Sequence, residues 1–209
     1  MNGLRNSVVL GYHGCSAEAA ARILNGEDIV PSASAFDWLG PGAYFWEADP
    51  RRGLEWALER SRRGDYNDPC VIGAVIDLGN CLDLTVRETA SLLSDAYASL
   101  EAAQTAAVLP LPQNRKAGAD GDVLLRYLDN AVITHLHKTI EEDARERTLK
   151  GEQPLIAPFD TVRGLFLEGQ RLYPGAGFFA KTHAQLVVRN DQNIKGFFRP
   201  RPYPSVTSA

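Results

Sequence analysis

Short β-branched runs sit toward the two ends of this chain, and long runs with helical spacing sit between them. That distribution constrains the fold more than any single motif does. Strands gathered at the ends cannot alternate regularly with helices, so the expectation is an α+β architecture rather than a doubly wound parallel sheet. Ser7 to Tyr12, Ala43 to Trp46 and Cys70 to Leu78 read as strands. The last is apolar on both faces, which predicts a central position in a sheet. Thr161 to Glu168, Ala184 to Val188 and Ile194 to Phe198 supply the later strands. In the first of these, Val162, Gly164 and Phe166 fall on one side.

The helices follow from caps and periodicity. Ser16 is placed to N-cap a helix over Ala17 to Leu24, which Asn25-Gly26 would stop. Asp49-Pro50 opens a second helix, with Leu54, Ala57 and Leu58 as its expected apolar face. Thr85 and Glu88 have capping-box spacing ahead of a helix reaching Ala107. Leu109 to Gly121 reads as a loop rich in Pro and Gly. Asp122 to Arg147 reads as one long helix, because Leu124, Leu125, Leu128, Val132, Leu136 and Ile140 recur at helical spacing. There is no internal repeat and no convincing linker, so a single domain over residues 1–209 is expected.

Hydrophobic content of 44% and charged content of 23% fit a globular chain and argue against disorder. The longest apolar stretch, Val71 to Leu78, is broken by Gly73 and Asp77 and falls far short of the roughly 18 residues of a membrane helix. With no apolar leader at the N-terminus, a cytoplasmic location without membrane contact is expected. Cys15, Cys70 and Cys81 lack a CxxC spacing and read as free thiols of a reducing compartment, with no metal site implied. A net charge of −4 does not indicate a general nucleic-acid coat. The clusters Arg51-Arg52, Arg60 with Arg62-Arg63, Arg145 with Arg147, and Arg199 with Arg201 read as solvated faces and a tail.

Three segments carry chemistry together rather than singly. Tyr12-His13-Gly14-Cys15 follows the first apolar run, Gly40-Pro41-Gly42-Ala43-Tyr44-Phe45 turns into a strand, and Gln185 to Ile194 lies on a late strand and the turn after it. Alone, His13 is a structural histidine, Tyr44 a core or rim tyrosine, and the Gly-Pro-Gly a turn. Their order resembles the ADP-ribosyltransferase superfamily, in its diphtheria-toxin and poly(ADP-ribose) polymerase branch. That branch carries a His on its first strand, a Tyr on a later one and a Glu near the end. The resemblance covers the two ends of the chain. It implies a split antiparallel sheet, with residues 84–150 as a helical insertion. The segments NCLDL, LYPGAGF and IKGFF also resemble a widespread bacterial family of the same superfamily, a likeness that implies no target.

The resemblance implies NAD as substrate, with no metal. His13 would bond a ribose hydroxyl, and Gly14 would let the backbone approach the carboxamide. Tyr44 would stack on the cationic nicotinamide ring. Tyr12, Gly42 and Phe45 would complete the binding set, with Trp46 as a further wall. Where the branch has its Glu, this chain has Gln185. An amide keeps a hydrogen bond but carries no charge and is no general base. Losing such an electrostatic contact costs on the order of a hundred- to a thousandfold in rate. Chain-extending polymer synthesis is therefore disfavoured.

Several side chains are candidates for the vacant role. Glu47, Glu168 and Asp191 are the carboxylates, although Asp191 fits turn formation better. His183 lies two residues before Gln185 and would share its face of an extended strand, as a base, a target contact or a surface residue. Arg163 would pair with pyrophosphate. His135 and His137 read as core or surface positions, and Arg171 to Lys181 as a loop for target recognition or an ordinary hairpin. The leading expectation is a mono-ADP-ribosyltransferase acting on a protein or RNA acceptor, as a toxin or phage-defence effector with a neutralising partner. An inactive NAD- or ADP-ribose-binding module and an NAD glycohydrolase are the alternatives. An RNA 2′-phosphotransferase would need basic residues around the site, which the sequence does not show.

Overall fold

The computed structural model describes residues 7–117 and 122–201. In chain order its elements are β1 (Val8–Ser16), α1 (Ala17–Leu24), β2 (Ala43–Glu47), α2 (Pro50–Arg62), β3 (Pro69–Asp77), β4 (Cys81–Asp83), α3 (Ala90–Ala106), β5 (Arg115–Ala117), β6 (Asp122–Leu125), α4 (Tyr127–Leu149), β7 (Thr161–Phe166), β8 (His183–Val188) and β9 (Ile194–Phe198). The fold is α+β. The pairs β1–β2, β1–β3, β3–β9, β5–β6 and β7–β8 are antiparallel, and β4–β7 is parallel. The chain divides into two compact units, and β2 contributes residues to both.

Among the described residues, the first unit takes 7–29, 45–78 and 191–201. Its strands lie in the order β2-β1-β3-β9. β1 and β3 pair along their whole length, from Val8↔Asp77 to Ser16↔Pro69. Ser16 caps α1 as expected, its Oγ accepting the Ala19 N–H at 3.1 Å. Asp49 caps α2 in the same way, accepting from the Arg52 N–H at 2.9 Å, with Pro50 in the first turn. The expected apolar face of α2 is corrected. Leu54 and Leu58 are each 37% exposed, while Arg52, Gly53 and Ala57 are buried. The reason is close approach: a Cβ on Gly14 would sit 2.2 Å from the Gly53 backbone oxygen and 3.2 Å from the Ala57 Cβ. The helix meets the strand through its smallest residues, which turns the leucines away.

Among the described residues, the second unit takes 30–44, 79–117 and 122–190. β4, β7 and β8 lie side by side, and β5 pairs with β6 as a small hairpin. Leu82, Val162 and Val187 from the strands pack with Leu39 and with Ala96, Leu100, Val132, Ile133, Leu136 and Ile140 from α3 and α4. Two helix expectations are corrected here. The helix expected from Thr85 begins at Ala90, after a 3-10 turn over Arg87–Thr89. Thr85 does not cap it, because its hydroxyl and N–H both donate to the Asp83 carboxylate, at 2.5 and 2.9 Å. The helix expected from Asp122 begins at Tyr127; Asp122–Leu125 is a strand paired with Arg115–Ala117. Val123-Leu124-Leu125 suits a strand as well as a helix, and its partner decides. The loop expected over Leu109 to Gly121 accordingly contains β5, and its residues 118–121 lie outside the described residues.

Among the described residues no helix is long and apolar enough to cross a membrane. Cys15 and Cys70 are directly opposed on β1 and β3 as free thiols. Burial first, and then the neighbouring Cys70, push the Cys15 thiol up to about 12.

Candidate functional site

Within the second unit, the site is built on one face of β7 and β8. The register sets Val162 opposite Val187, Gly164 opposite Gln185, and Phe166 opposite His183. The period-two alternation of strands puts all six on the same face. The valine pair belongs to the core, so the face runs from packed apolar residues to Gln185 and then to His183.

Trp38 covers the middle of this face. A Cβ on Gly164 would lie 2.5 Å from its Cη2 atom, so only glycine leaves room for the indole. The Trp38 Nε1–H donates to Gln185 Oε1 at 2.5 Å. The ring of Trp38 also tilts against Phe166, with centroids 5.3 Å apart. Phe166 in turn stacks on His183 at 5.5 Å and 27°, and the Arg126 guanidinium lies 5.1 Å from the Phe166 ring.

His183 and Glu168 are both buried and lie 4.0 Å apart. A carbonyl only accepts, so the 2.7 Å contact of His183 Nδ1 with the Lys181 carbonyl places the proton on that nitrogen. Lys181 Nζ approaches Glu168 at 3.8 Å. His183 thus shares the Gln185 face as expected, as a stacked and buried side chain. Arg163 sits one residue off this face and pairs with Asp83 at 3.3 Å. Burial raises the Asp83 carboxyl, but the bonds from Thr85 and Arg163 outweigh it and hold the group below the usual carboxylate range.

The loop that delivers Trp38 is tied down at several points. Ser32 and Gly42 exchange two backbone hydrogen bonds, and Asp37 accepts from the Ser32 hydroxyl and the Ser34 N–H, each at 2.7 Å. Asn130 of α4 donates to the Asp37 carbonyl at 2.9 Å. Tyr44 closes the loop: its hydroxyl donates to the Gly40 carbonyl at 2.9 Å and accepts the Leu39 N–H at 3.1 Å. Burial, and then Asp37, push that hydroxyl well above the ordinary tyrosine range. Gly42 has φ +152°, and a Cβ there would lie 2.4 Å from Val187 Cγ1 and 2.7 Å from the Val188 carbonyl oxygen. The Gly-Pro-Gly turn is therefore a packing device that seats Tyr44 and Trp38 against β8.

Within the first unit, Tyr12, His13 and Gly14 lie on β1. The His13 ring is 5.8 Å from Phe45, and Tyr12 meets Phe198 edge-on at 6.1 Å. Trp46, opposite Tyr12 in the sheet, is buried against Trp56 and under Arg52. Glu47 ends β2, and Asp191, itself exposed, opens a 3-10 turn in this unit.

Sequence reasoning missed Trp38, Phe166 and Arg126. A glycine inside a strand is the signal that points to the first, since Gly164 marks a close approach by another group. Among the described residues no cluster of three His, Cys, Asp or Glu side chains is placed to hold a metal. Comparisons of the chain with protein-family models, curated proteins and solved structures returned no match.

Proposed function

We propose that the protein is a mono-ADP-ribosyltransferase that cleaves NAD and passes ADP-ribose to a macromolecule, with the sheet of an ADP-ribosyltransferase-like core. The ordered motifs at His13-Gly14, Gly42-Ala43-Tyr44 and Gln185 support this reading. The observation that carries it is the setting of Gln185. The residue at the third motif position stands opposite Gly164 and is clasped by a tryptophan, on a strand anchored by core valines. A surface glutamine of a sheet needs no such support. In this reading His13 takes a ribose hydroxyl, Tyr44 offers its ring to the nicotinamide, and Gln185 faces the 2′-hydroxyl. The buried Glu168–His183 pair supplies an imidazole on the strand that holds Gln185 and a carboxylate just past the end of β7. The acceptor is a protein or an RNA, and a toxin or defence effector of this kind would need a neutralising partner.

One observation favours a second reading, an inactive NAD- or ADP-ribose-binding module: Gln185 is neutral and already engaged by Trp38. The test incubates the full chain with adenine-labelled NAD and cell lysate, then splits the products with protease and ribonuclease. Label lost to protease assigns a protein acceptor, and label lost to ribonuclease assigns RNA. Tyr44→Phe keeps the ring and is expected to retain NAD binding; Tyr44→Ala is expected to lose it. Saturable NAD binding with no label and no nicotinamide release would select the binding module. Nicotinamide release without label would select a glycohydrolase.

A further inference from the structure

Trp38 determines which end of the Gln185 amide is available. An indole N–H only donates, so the atom it meets at 2.5 Å must be the carbonyl oxygen. Turning the amide over would set N–H against N–H. The amide is planar, and its NH2 lies at the corner away from the oxygen held by Trp38. Among the described residues the side chain of Gln185 makes no other hydrogen bond. The indole itself cannot swing aside freely, because it is seated over Gly164 and against Phe166.

We infer that Trp38 is a positioning residue that takes the oxygen of Gln185 and leaves its NH2 as the group offered to a ligand, so position 185 recognises an acceptor oxygen. This rests on the NAD reading for the identity of the ligand, in which a ribose hydroxyl would accept from Gln185. A carboxylate at the same position would do the reverse: both its oxygens accept, and the hydroxyl would have to donate. The exchange of Glu for Gln is then more than a lost charge. It inverts the polarity of the contact, and Trp38 enforces the inversion.

The test is nitrogen-15 NMR of the full chain, whose three tryptophans give three indole N–H signals. Trp38→Phe identifies the signal of Trp38. In the free protein that signal should lie downfield of its position in Gln185→Ala, and Gln185→Glu should restore it, since a carboxylate also accepts. With saturating NAD the Trp38 signal should keep its hydrogen-bonded position, while the Gln185 NH2 pair, assigned by its loss in Gln185→Ala, moves downfield. Trp38→Phe should weaken NAD binding by about 3- to 10-fold, the worth of one hydrogen bond. Adding it to Gln185→Ala should weaken binding no further, because the two act as a unit. The inference is overturned if Gln185→Ala leaves the Trp38 signal in place, if NAD releases that signal, or if the two losses add. Absence of any NAD response in the wild type overturns the NAD reading instead, and the orientation of Gln185 is then decided by the free-protein signals.

Discussion

At the scale of single residues, the clearest consequence concerns His137. It is 3% exposed on α4, 6.1 Å from the Phe159 ring, and neither ring nitrogen has a hydrogen-bond partner among the described residues. Burial first, and then the nearby Arg189, hold its pKa at about 3. In the unfolded chain the same imidazole titrates near 6.5. Between these values the unfolded state binds a proton that the folded state refuses, so stability falls as the pH drops below about 6.5. The slope approaches about 1.4 kcal/mol per pH unit for one group. Unfolding free energies from urea titrations at pH 7 and pH 5 should therefore differ by about 2 kcal/mol more in the wild type than in His137→Leu. At pH 7 the substitution should cost little, since it removes a buried polar ring with unmet bonding capacity. Equal pH dependence in the two proteins would mean that His137 charges within the fold. The sequence placed His137 on a helix among apolar residues; its contact with Phe159, 22 residues away, is a meeting no local pattern encodes.

At the scale of elements, α4 shows how a helix can be finished from outside. Its N-cap residue, Arg126, makes no side-chain cap bond. The Oδ1 of Asn114 instead accepts the N–H groups of Leu128 and Asp129, at 2.9 and 3.3 Å, and its Nδ2 donates to Asp129 at 2.8 Å. Free N–H groups at a helix start need an acceptor, and the β5–β6 hairpin brings one. Asn114→Ala should destabilise the protein by about 1 kcal/mol, as loss of an ordinary cap does, read from a denaturant midpoint. Asn114→Asp should not restore it, because a carboxylate oxygen would replace the amide donor 2.8 Å from the Asp129 carboxylate. The same element explains what the sequence hid. The α1 and α2 starts were legible because Ser16 and Asp49 cap their own helices. The α4 start was not, because its cap lies outside the periodic run, and the strand before it is as apolar as a helical turn. Thr85 deceived for a related reason: its spacing fits a cap, but Asp83 takes its hydroxyl.

At the scale of the whole molecule, charge bears on the acceptor. The chain carries a net −4. Of the arginines near the first motifs, Arg51 meets Glu55 at 3.0 Å, Arg52 meets Glu59 at 3.8 Å, and Arg60 meets Asp65 at 2.6 Å. Such pairs leave little field to draw a phosphate backbone. Under the proposed activity, the transfer rate in lysate should fall by less than about threefold as salt rises from about 50 to 200 mM, the response of roughly one phosphate contact. A steeper fall would assign a nucleic-acid acceptor. The strands β1, β2, β3, β7, β8 and β9 were legible at this scale as β-branched or aromatic runs bounded by turn residues, while β4, β5 and β6 were too short to show a pattern. The face carrying Gln185 was half legible: alternation gives the shared side of His183 and Gln185, while Trp38, far away in sequence, had no local mark.

The first unit also has a timing. Its β3 pairs with β9, and beside them the Asn193 amide donates to the Asp77 carbonyl across 116 residues of intervening chain. A ribosome adding about 5 to 20 residues per second needs roughly 6 to 23 s to span that distance. During synthesis β3 therefore waits with one edge open, while β1 has already zipped onto the other. A nascent chain stalled within the second unit would display that open edge, and a chaperone that reads unpaired strands would have those seconds in which to find it.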